Sequence, residues 1–296
     1  MKRPLVILAS ILLALGLIAI IVLQQPGEKS SSGFLGEKLV TYDSSAVDRL
    51  EIVSPSGRTV LSREGGKWML KAPVEYRADE AAVTAAIGQG KSIELKSLVS
   101  DNPVKQGVFQ VDSTGTMVRV FEHGTERAAF HVGKMSSSYT ESYVRREGSN
   151  DVYLAEGILS YTFGRSAKEW RDKTVFKADR AAITSVRFQY GDTTFTLTQQ
   201  DSLWLIGSDR ATDNAVSALL GALTNFQTDD FIDSAITLGP PAALIETGGT
   251  QIQFYLNTEG NKYTVKTSIS GQLFDVQSWK ASQLLKRKKD FLSSAG

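Results

Sequence analysis

Side chains that commonly carry out covalent or metal chemistry are scarce in this sequence. It contains no cysteine and only two histidines, His123 and His131, which excludes disulfides, cysteine nucleophiles and thiolate or histidine-rich metal sites. No serine stands in a G-x-S-x-G context, and neither standard glycine-rich phosphate loop occurs. We therefore expect no catalytic site, no metal site and no cofactor. His131, between Phe130 and Val132 in an alternating stretch, is expected to point to solvent.

Two aspartates, Asp43 and Asp179, hold matching positions in two similar segments. Each precedes a local turn, so hydrogen bonding from the carboxylate to the backbone two residues on is the expected role. A pair of catalytic carboxylates would have to lie about 5 to 10 Å apart. Nothing in the sequence brings these two together, because each belongs to its own segment.

An aromatic and charged cluster lies near the middle of the chain, within residues 156–174. It supplies the candidate contacts with a partner or ligand: Tyr161, Phe163, Trp170, Arg171 and Lys173. The other interpretation of residues 170–173 is a structural latch between the two halves of the chain. Both interpretations stay open at the level of sequence.

A basic run near the carboxyl terminus consists of Lys286, Arg287, Lys288 and Lys289. The formal net charge of the whole chain is only +1, so no overall field favours nucleic acid, and we expect no nucleic-acid partner. A solvated helix face is one interpretation of the run. Contact with anionic lipid headgroups is the other, since each basic residue near such a surface adds about 1 kcal/mol of attraction.

An uncharged apolar run occupies residues 4–23, directly after Lys2 and Arg3. Twenty helical residues span roughly 30 Å, the thickness of a bilayer core. No small-residue cleavage motif follows, so the sequence predicts an uncleaved single-span anchor over residues 1–24. The positive-inside tendency places the amino terminus in the cytoplasm and the bulk of the chain outside it. Residues 25–38, rich in Ser, Gly and Pro, are expected to form a flexible tether.

The rest of the chain contains an internal repeat. Residues 39–70 and 175–206 align without a gap at an offset of 136 residues, which superposes Trp68 on Trp204. Alternating apolar residues and tight turns predict three short antiparallel strands in each copy. A helix follows the strands in each copy, and Asp79 is expected to cap the helix of the first copy. Gly88 in the first helix matches Gly221 in the second helix. Both matching tryptophans are expected to pack in a core.

Residues 115–121 match residues 249–255 as the next strand of each copy. Fewer strand-like segments follow in the second copy than in the first, so the second sheet is expected to lack one strand. A closing helix from Ser278 is expected to pack Trp279 inward. The sequence thus predicts an α+β fold in which an N-terminal transmembrane helix precedes two tandem repeats, each a mainly antiparallel sheet with a packed helix. The repeats cover residues 39–155 and 175–296, joined by a linking segment over residues 156–174.

The chain resembles the domain-of-unknown-function 4340 family in five features. These are the anchor, the meander ending at Trp68, the helix after Asp79, the link at residues 170–173, and the second meander at Trp204 with Asp213 after it. The resemblance covers about residues 40–290. It departs from the family's usual Tyr-Gly-Leu and proline after the first helix, where this chain has residues 105–109, and residues 237–241 in the second copy. It implies a bacterial envelope protein with a single span in the inner membrane, of the kind often encoded beside ABC-type or gliding-associated transporters. It brings no catalytic residue.

Three functions follow as hypotheses. The first is a non-enzymatic, membrane-anchored, extracytoplasmic accessory or scaffold subunit of an envelope assembly beside an ABC-type permease, whose partners are other envelope proteins. The second is a module that binds a glycan, peptide or lipid in a cleft between the repeats, lined by Tyr161, Phe163 and Trp170. The third is a hydrolase whose site is not visible in the sequence.

Overall fold

The computed structural model describes residues 36–257 and 261–292. The chain divides into two compact units, with the boundary between Arg171 and Asp172. The predicted anchor and nearly all of the predicted tether lie outside the described residues. Within those residues, no helix is both long enough and apolar enough to cross a membrane.

The predicted α+β fold class with an N-terminal transmembrane helix is wrong. The described structure consists mostly of two large antiparallel sheets. Strand residues make up 46% of the structure and helical residues 21%, and no membrane-crossing helix belongs to the fold described here. Each unit is built on one large sheet of nine strands, all of whose pairings are antiparallel. The helices are short because most of the apolar residues alternate with period two, which suits a sheet with one buried face.

The first unit contains one sheet in the order β4-β3-β2-β1-β6-β7-β8-β9-β5. Its strands are β1 (Val47–Ser54), β2 (Gly57–Glu64), β3 (Lys67–Ala72), β4 (Tyr76–Arg77), β5 (Leu95–Ser100), β6 (Thr116–Glu122), β7 (Thr125–Met135), β8 (Glu141–Arg146) and β9 (Val152–Glu156). Its helices are α1 (Glu80–Ser92), α2 (Gln106–Phe109) and α3 (Leu159–Phe163).

Helix α1 covers the buried face of this sheet. Asp79 caps it, as the sequence predicts, by accepting a hydrogen bond from the Ala82 N–H at 3.0 Å. On its inner face Gly90 lies against Tyr42, where a Cβ atom would be 2.5 Å from the tyrosine oxygen. The Tyr42 hydroxyl donates to the Ile87 carbonyl oxygen at 2.6 Å, and burial raises the pKa of this hydroxyl well above its usual range. A glycine is therefore required where the helix meets the segment before β1.

The second unit contains a sheet in the order β14-β13-β12-β11-β17-β18-β19-β20-β16, and a separate pair of β10 with β15. Its strands are β10 (Thr174–Phe176), β11 (Ser185–Tyr190), β12 (Thr194–Gln200), β13 (Leu203–Ile206), β14 (Asp209–Arg210), β15 (Phe226–Gln227), β16 (Asp230–Ile232), β17 (Ala243–Thr247), β18 (Thr250–Leu256), β19 (Lys262–Thr267) and β20 (Ser270–Gln277). Its helices are α4 (Asp213–Thr224) and α5 (Ser278–Leu284).

The two nine-stranded sheets have equivalent strand orders, so the prediction that the second sheet lacks a strand is wrong. Residues 115–121 and 249–255 are similar in sequence but do not hold equivalent positions in the two sheets. By position in the sheet, β6 corresponds to β17, which pairs with β11, and β7 corresponds to β18. Strand β17 is only five residues long and meets β18 through a tight turn at Gly248 and Gly249, so its alternating pattern in the sequence is short.

The matching tryptophans lie in the cores of their respective units, as the sequence predicts. Trp68 is 4% exposed and packs in the first core with Leu50 and Leu61. Trp204 is also buried, in the second unit. There the rings of Phe188 and Phe195 stack with centroids 4.8 Å apart. The paired aspartates form the predicted turns, since the Ser45 N–H donates to Asp43 and the Ala181 N–H donates to Asp179.

The edges of both sheets are protected against pairing with another strand. Strands β4 and β14 have two residues each, and β16 has three. Strand β5 is longer, but its register against β9 shifts twice. Short or irregular edge strands present few aligned backbone groups. Addition of a strand from another chain is thus disfavoured at these edges.

Replacing Trp68 by alanine tests the assignment of the first core. Because the ring is buried, Trp68→Ala should lower the free energy of unfolding by about 3 to 5 kcal/mol in urea denaturation. Trp279→Ala is the control, because the Trp279 side chain is 62% exposed and its loss should change stability by no more than about 0.5 kcal/mol. Equal effects of the two substitutions would contradict the assignment.

Candidate docking site

The residues predicted to contact a partner or ligand are mostly inside the first unit. Trp170 and Phe163 belong to its hydrophobic core, and the Phe163 ring meets Phe130 edge to face at 5.6 Å. Arg171 is buried as well, with its guanidinium 5.8 Å from the centre of the Tyr76 ring. Of the three aromatic candidates, Tyr161 alone is exposed. The rings of Trp170 and Phe163 are therefore not accessible to a ligand.

Lys173 follows the unit boundary and is half-buried. Its carbonyl oxygen accepts a hydrogen bond from the Thr228 N–H at 2.8 Å, next to the pairing of β10 with β15. The backbone of this residue thus belongs to the structure of the second unit.

The basic run divides into paired and unpaired residues. Arg287 lies 3.0 Å from Asp192, and Lys288 lies 3.0 Å from Asp209. Lys286 and Lys289 make no ion pair with any described residue. The backbone of the run is anchored, because the Tyr190 hydroxyl donates to the Lys286 carbonyl oxygen at 2.6 Å. Burial raises the pKa of Tyr190 to about 12.

A helical turn between β5 and β6 carries two exposed valines. A 3-10 turn at Pro103–Lys105 continues into α2, and the Asn102 side chain caps it by accepting from the Val104 N–H at 3.0 Å. Val104 is 86% exposed and Val108 is 61% exposed. Residues four apart on a helical turn lie on the same face, so these two valines form one apolar surface. We call the segment of residues 103–109 that carries them the valine turn.

The backbone at the end of the valine turn lies directly on two glycines. A Cβ atom on Gly115 would be 1.7 Å from the Gln110 carbonyl oxygen, and one on Gly133 would be 2.1 Å from the Phe109 carbonyl oxygen. Gln110 itself has a left-handed conformation with φ of 56°. The Phe109 ring packs on Tyr143 with centroids 4.7 Å apart. The turn is therefore held closely against β7 and β8.

A buried arginine fastens the segment after the turn. Arg145, on β8, donates from Nε to the Val111 carbonyl oxygen at 2.8 Å and from Nη1 to the Ser149 carbonyl oxygen at 2.9 Å. Burial lowers the pKa of Arg145, but a guanidinium stays charged because its reference pKa is so high. Hydrogen bonds from a buried charge are stronger than those between neutral groups. This cation thus joins two loops to the sheet.

His131 lies beside Arg145 on the neighbouring strand and is buried, so its prediction as a surface residue is wrong. Its Nε2 lies 2.6 Å from Glu147 Oε2. Burial, reinforced by the charge of Arg145, lowers the pKa of His131 despite the opposing effect of Glu147. The hydrogen bond between this ring nitrogen and the carboxylate lowers the pKa of Glu147. Hydrogen bonds from Thr114 lower the pKa of Asp112, whose charge also lies near His131 and Arg145.

Sequence reasoning missed the valine turn, although signals for it existed. Asn102 before Pro103 is a common start of a helical turn, and Val104 and Val108 have helical spacing. What the pattern did not contain is the direction of the valines, because that depends on how residues 109–111 pack on Gly115 and Gly133. The arrangement places two exposed valines on a turn that the sheet holds in a defined position.

Comparison with known proteins identifies one family. The family model for a domain of unknown function, DUF4340, matches residues 68–244. The match runs from β3 of the first unit to β17 of the second and includes the valine turn. No curated protein and no solved structure matches the chain.

The buried His131 predicts a dependence of stability on pH. Folding lowers the pKa of His131 from 6.5, so the folded chain favours the neutral ring. This contribution is fully present above pH 6.5 and is lost as the pH falls below it, by at most about 1.4 kcal/mol per pH unit. The free energy of unfolding should therefore decrease as the pH is lowered from about 6.5.

His131→Gln is the control for this titration, because glutamine can donate a hydrogen bond and does not titrate. The variant should show a flatter dependence of unfolding free energy on pH in the same window. Glu147 and Asp112, whose ordinary values are 4.5 and 3.8 and whose pKa values are lowered in the fold, lose their contributions only at more acid pH. Identical pH profiles for the two proteins would refute the role of His131.

The close contact beneath the valine turn predicts that Gly115 accepts no side chain. Gly115→Ala forces the Gln110 carbonyl to move and should lower the free energy of unfolding by about 1 to 3 kcal/mol. Gly88→Ala, on the open face of α1 where nothing lies within 4 Å of the added carbon, should instead stabilise the chain by about 0.5 to 1 kcal/mol. Urea denaturation of both variants measures the contrast, and similar stabilities would show that the turn does not rest on Gly115.

Proposed function

This chain belongs to the DUF4340 family, and from that premise we propose that it is a non-enzymatic accessory or scaffold subunit of an envelope assembly that contains an ABC-type transporter. The family description itself states no activity. The transporter association is what the resemblance of the sequence implies. The chain's own contribution, in this proposal, is to bind another envelope protein.

The exposure of Val104 and Val108 is the observation that carries this proposal. A valine on the surface normally needs no explanation, but here two of them share one face of a turn. That turn is fastened by a buried arginine, by two glycines in close backbone contact and by an aromatic pair. A rigid apolar projection loses little conformational entropy when a partner covers it, which favours affinity.

The mode of contact follows from the edges of the sheets. Because β4, β5, β14 and β16 are short or irregular, addition of a strand from a partner is disfavoured. The valine turn offers side chains that an apolar pocket of a permease or of another envelope subunit can enclose. Lys105, between the two valines, is exposed and would remain at the rim of such a contact.

Attachment to the membrane remains a prediction from residues 4–23. With the short segment 25–38 between that run and the first unit, the chain is expected to act close to the membrane surface, outside the cytoplasm. The alternative function, a module that binds a glycan, peptide or lipid, depended on accessible rings of Trp170 and Phe163. Both rings lie in the first core, so no observation favours that module as a second function.

Crosslinking in intact cells tests the proposal. The full chain carries a carboxyl-terminal tag, is purified in mild detergent, and its crosslinked partners are identified by mass spectrometry. We expect a permease and its ATPase. Val104→Asp together with Val108→Asp should reduce their recovery by at least about tenfold, which corresponds to about 1.4 kcal/mol of binding free energy, because charged side chains oppose burial in an apolar pocket.

Ile269→Asp is the matched control, since Ile269 is also exposed but lies in a turn of the second unit. Its recovery of the transporter should equal that of the native chain. Recovery of the bait alone from a folded preparation would overturn the accessory role. Full recovery with the double valine variant would leave the accessory role but overturn the valine turn as its contact.

A further inference from the structure

A groove of about 560 Å³ lies between α4 and α5 of the second unit. Its floor is the outer face of α4, where Ala218, Gly221 and Ala222 present only small side chains. The groove is open above Gly221, because no atom lies within 4 Å of the position that a Cβ would take. A helix can approach such a floor closely, since the distance between packed helices depends on the side chains between them.

Trp279 stands on one wall of this groove and is 62% exposed. The prediction that it packs inward is wrong. The other three tryptophans of the chain are buried. Lys280 lies with its Nζ 5.6 Å from the centre of the Trp279 ring and 2.6 Å from Asp229 Oδ1. A large exposed ring beside a fixed lysine has the chemistry of an interface anchor.

Among the described residues, one unpaired positive charge lines the groove. Lys280 is neutralised by Asp229, but Lys286, which also lines the groove, has no ion-pair partner among residues 36–257 and 261–292. No carboxylate side chain lines the groove within that part of the chain. Lys289, close by in sequence, is likewise without an ion pair there. An occupant that carries acidic residues would therefore gain electrostatic attraction here.

We propose that this groove binds an amphipathic helix with acidic residues, supplied by a protein partner. Its apolar face would lie on Ala218, Gly221 and Ala222 and against the Trp279 ring, and its carboxylates would face Lys286. This is the helix-in-groove mode of recognition. The inference goes beyond the accessory role, because it concerns a second surface on the other unit and does not depend on the valine turn.

Tryptophan fluorescence tests the proposal, because Trp279 is the exposed reporter among four tryptophans. The full chain, in phosphatidylcholine nanodiscs, is titrated with a synthetic helical peptide of about 18 residues, a length at which isolated helices form. One face of the peptide carries Leu and Ala and the other carries Glu; a twin peptide carries Lys in place of Glu. We expect a saturable blue shift with the acidic peptide, weakened by salt, and little response to the twin.

Two variants and one matched control sharpen the test. Gly221→Leu fills the groove and should weaken binding by at least about tenfold, equivalent to about 1.4 kcal/mol. Lys286→Glu should weaken binding of the acidic peptide and strengthen binding of the basic twin. Gly88→Leu, at the matching and equally open position of α1, should leave both affinities unchanged. Thermal melts confirm that each variant is folded, and the Lys286→Glu result stands even if Gly221→Leu does not fold.

Three results would overturn the inference. One is the absence of a blue shift with the acidic peptide. Another is equal binding of the acidic and basic peptides. The last is a blue shift that occurs in nanodiscs containing phosphatidylglycerol when no peptide is added. That result would assign Trp279 and the lysines to an anionic lipid surface instead.

Discussion

Burial of one face of a nine-stranded antiparallel sheet is the constraint on which each unit depends. In the first unit Leu50 and Ile52 of β1 face the same core as Val118 and Val120 of β6. In the second unit Val186 and Phe188 of β11 play the equivalent part. A single helix cannot cover so wide a sheet, so short helical turns and chain segments complete the cover. Those covering segments are where the two units differ.

Buried polar side chains in the first unit hold the loops that cover its sheet, rather than forming an open site. Arg145 gives its hydrogen bonds to carbonyl oxygens of two loops, and His131 gives one to Glu147. A buried cation is stable only when its donors are satisfied, so these loops cannot move without a large cost. The valine turn thereby becomes a fixed surface. Loops held by a rigid sheet are the common location of binding residues.

The second unit has the same strand order but another covering arrangement. Phe291, after the last helix, packs on Phe188 and Phe195, and its carbonyl oxygen accepts from the Thr212 N–H at the start of α4. This closing segment leaves an open groove with Trp279 on its wall. One duplicated sheet thus carries two different surfaces, a projecting turn and a groove.

The sequence by itself determined the features that depend on neighbours along the chain. Alternation predicted the strands of both meanders, and the gapless repeat placed Trp68 and Trp204 in equivalent core positions. Asp79, Asp43 and Asp179 act on N–H groups two or three residues away, so their hydrogen bonds could be read from local order. The resemblance to the family, confirmed over residues 68–244, also follows from such local motifs.

Only the tertiary structure decided which surfaces are covered. Alternation placed His131 opposite the core, yet the segment around Phe109 and Val111 covers that side of β7. Helical spacing placed Trp279 inward, yet Leu284 and Phe291 take the buried positions and leave its ring exposed. Burial of a side chain depends on segments far away in the sequence. Periodicity reports which residues share a face, but it does not say whether a second layer covers the other face.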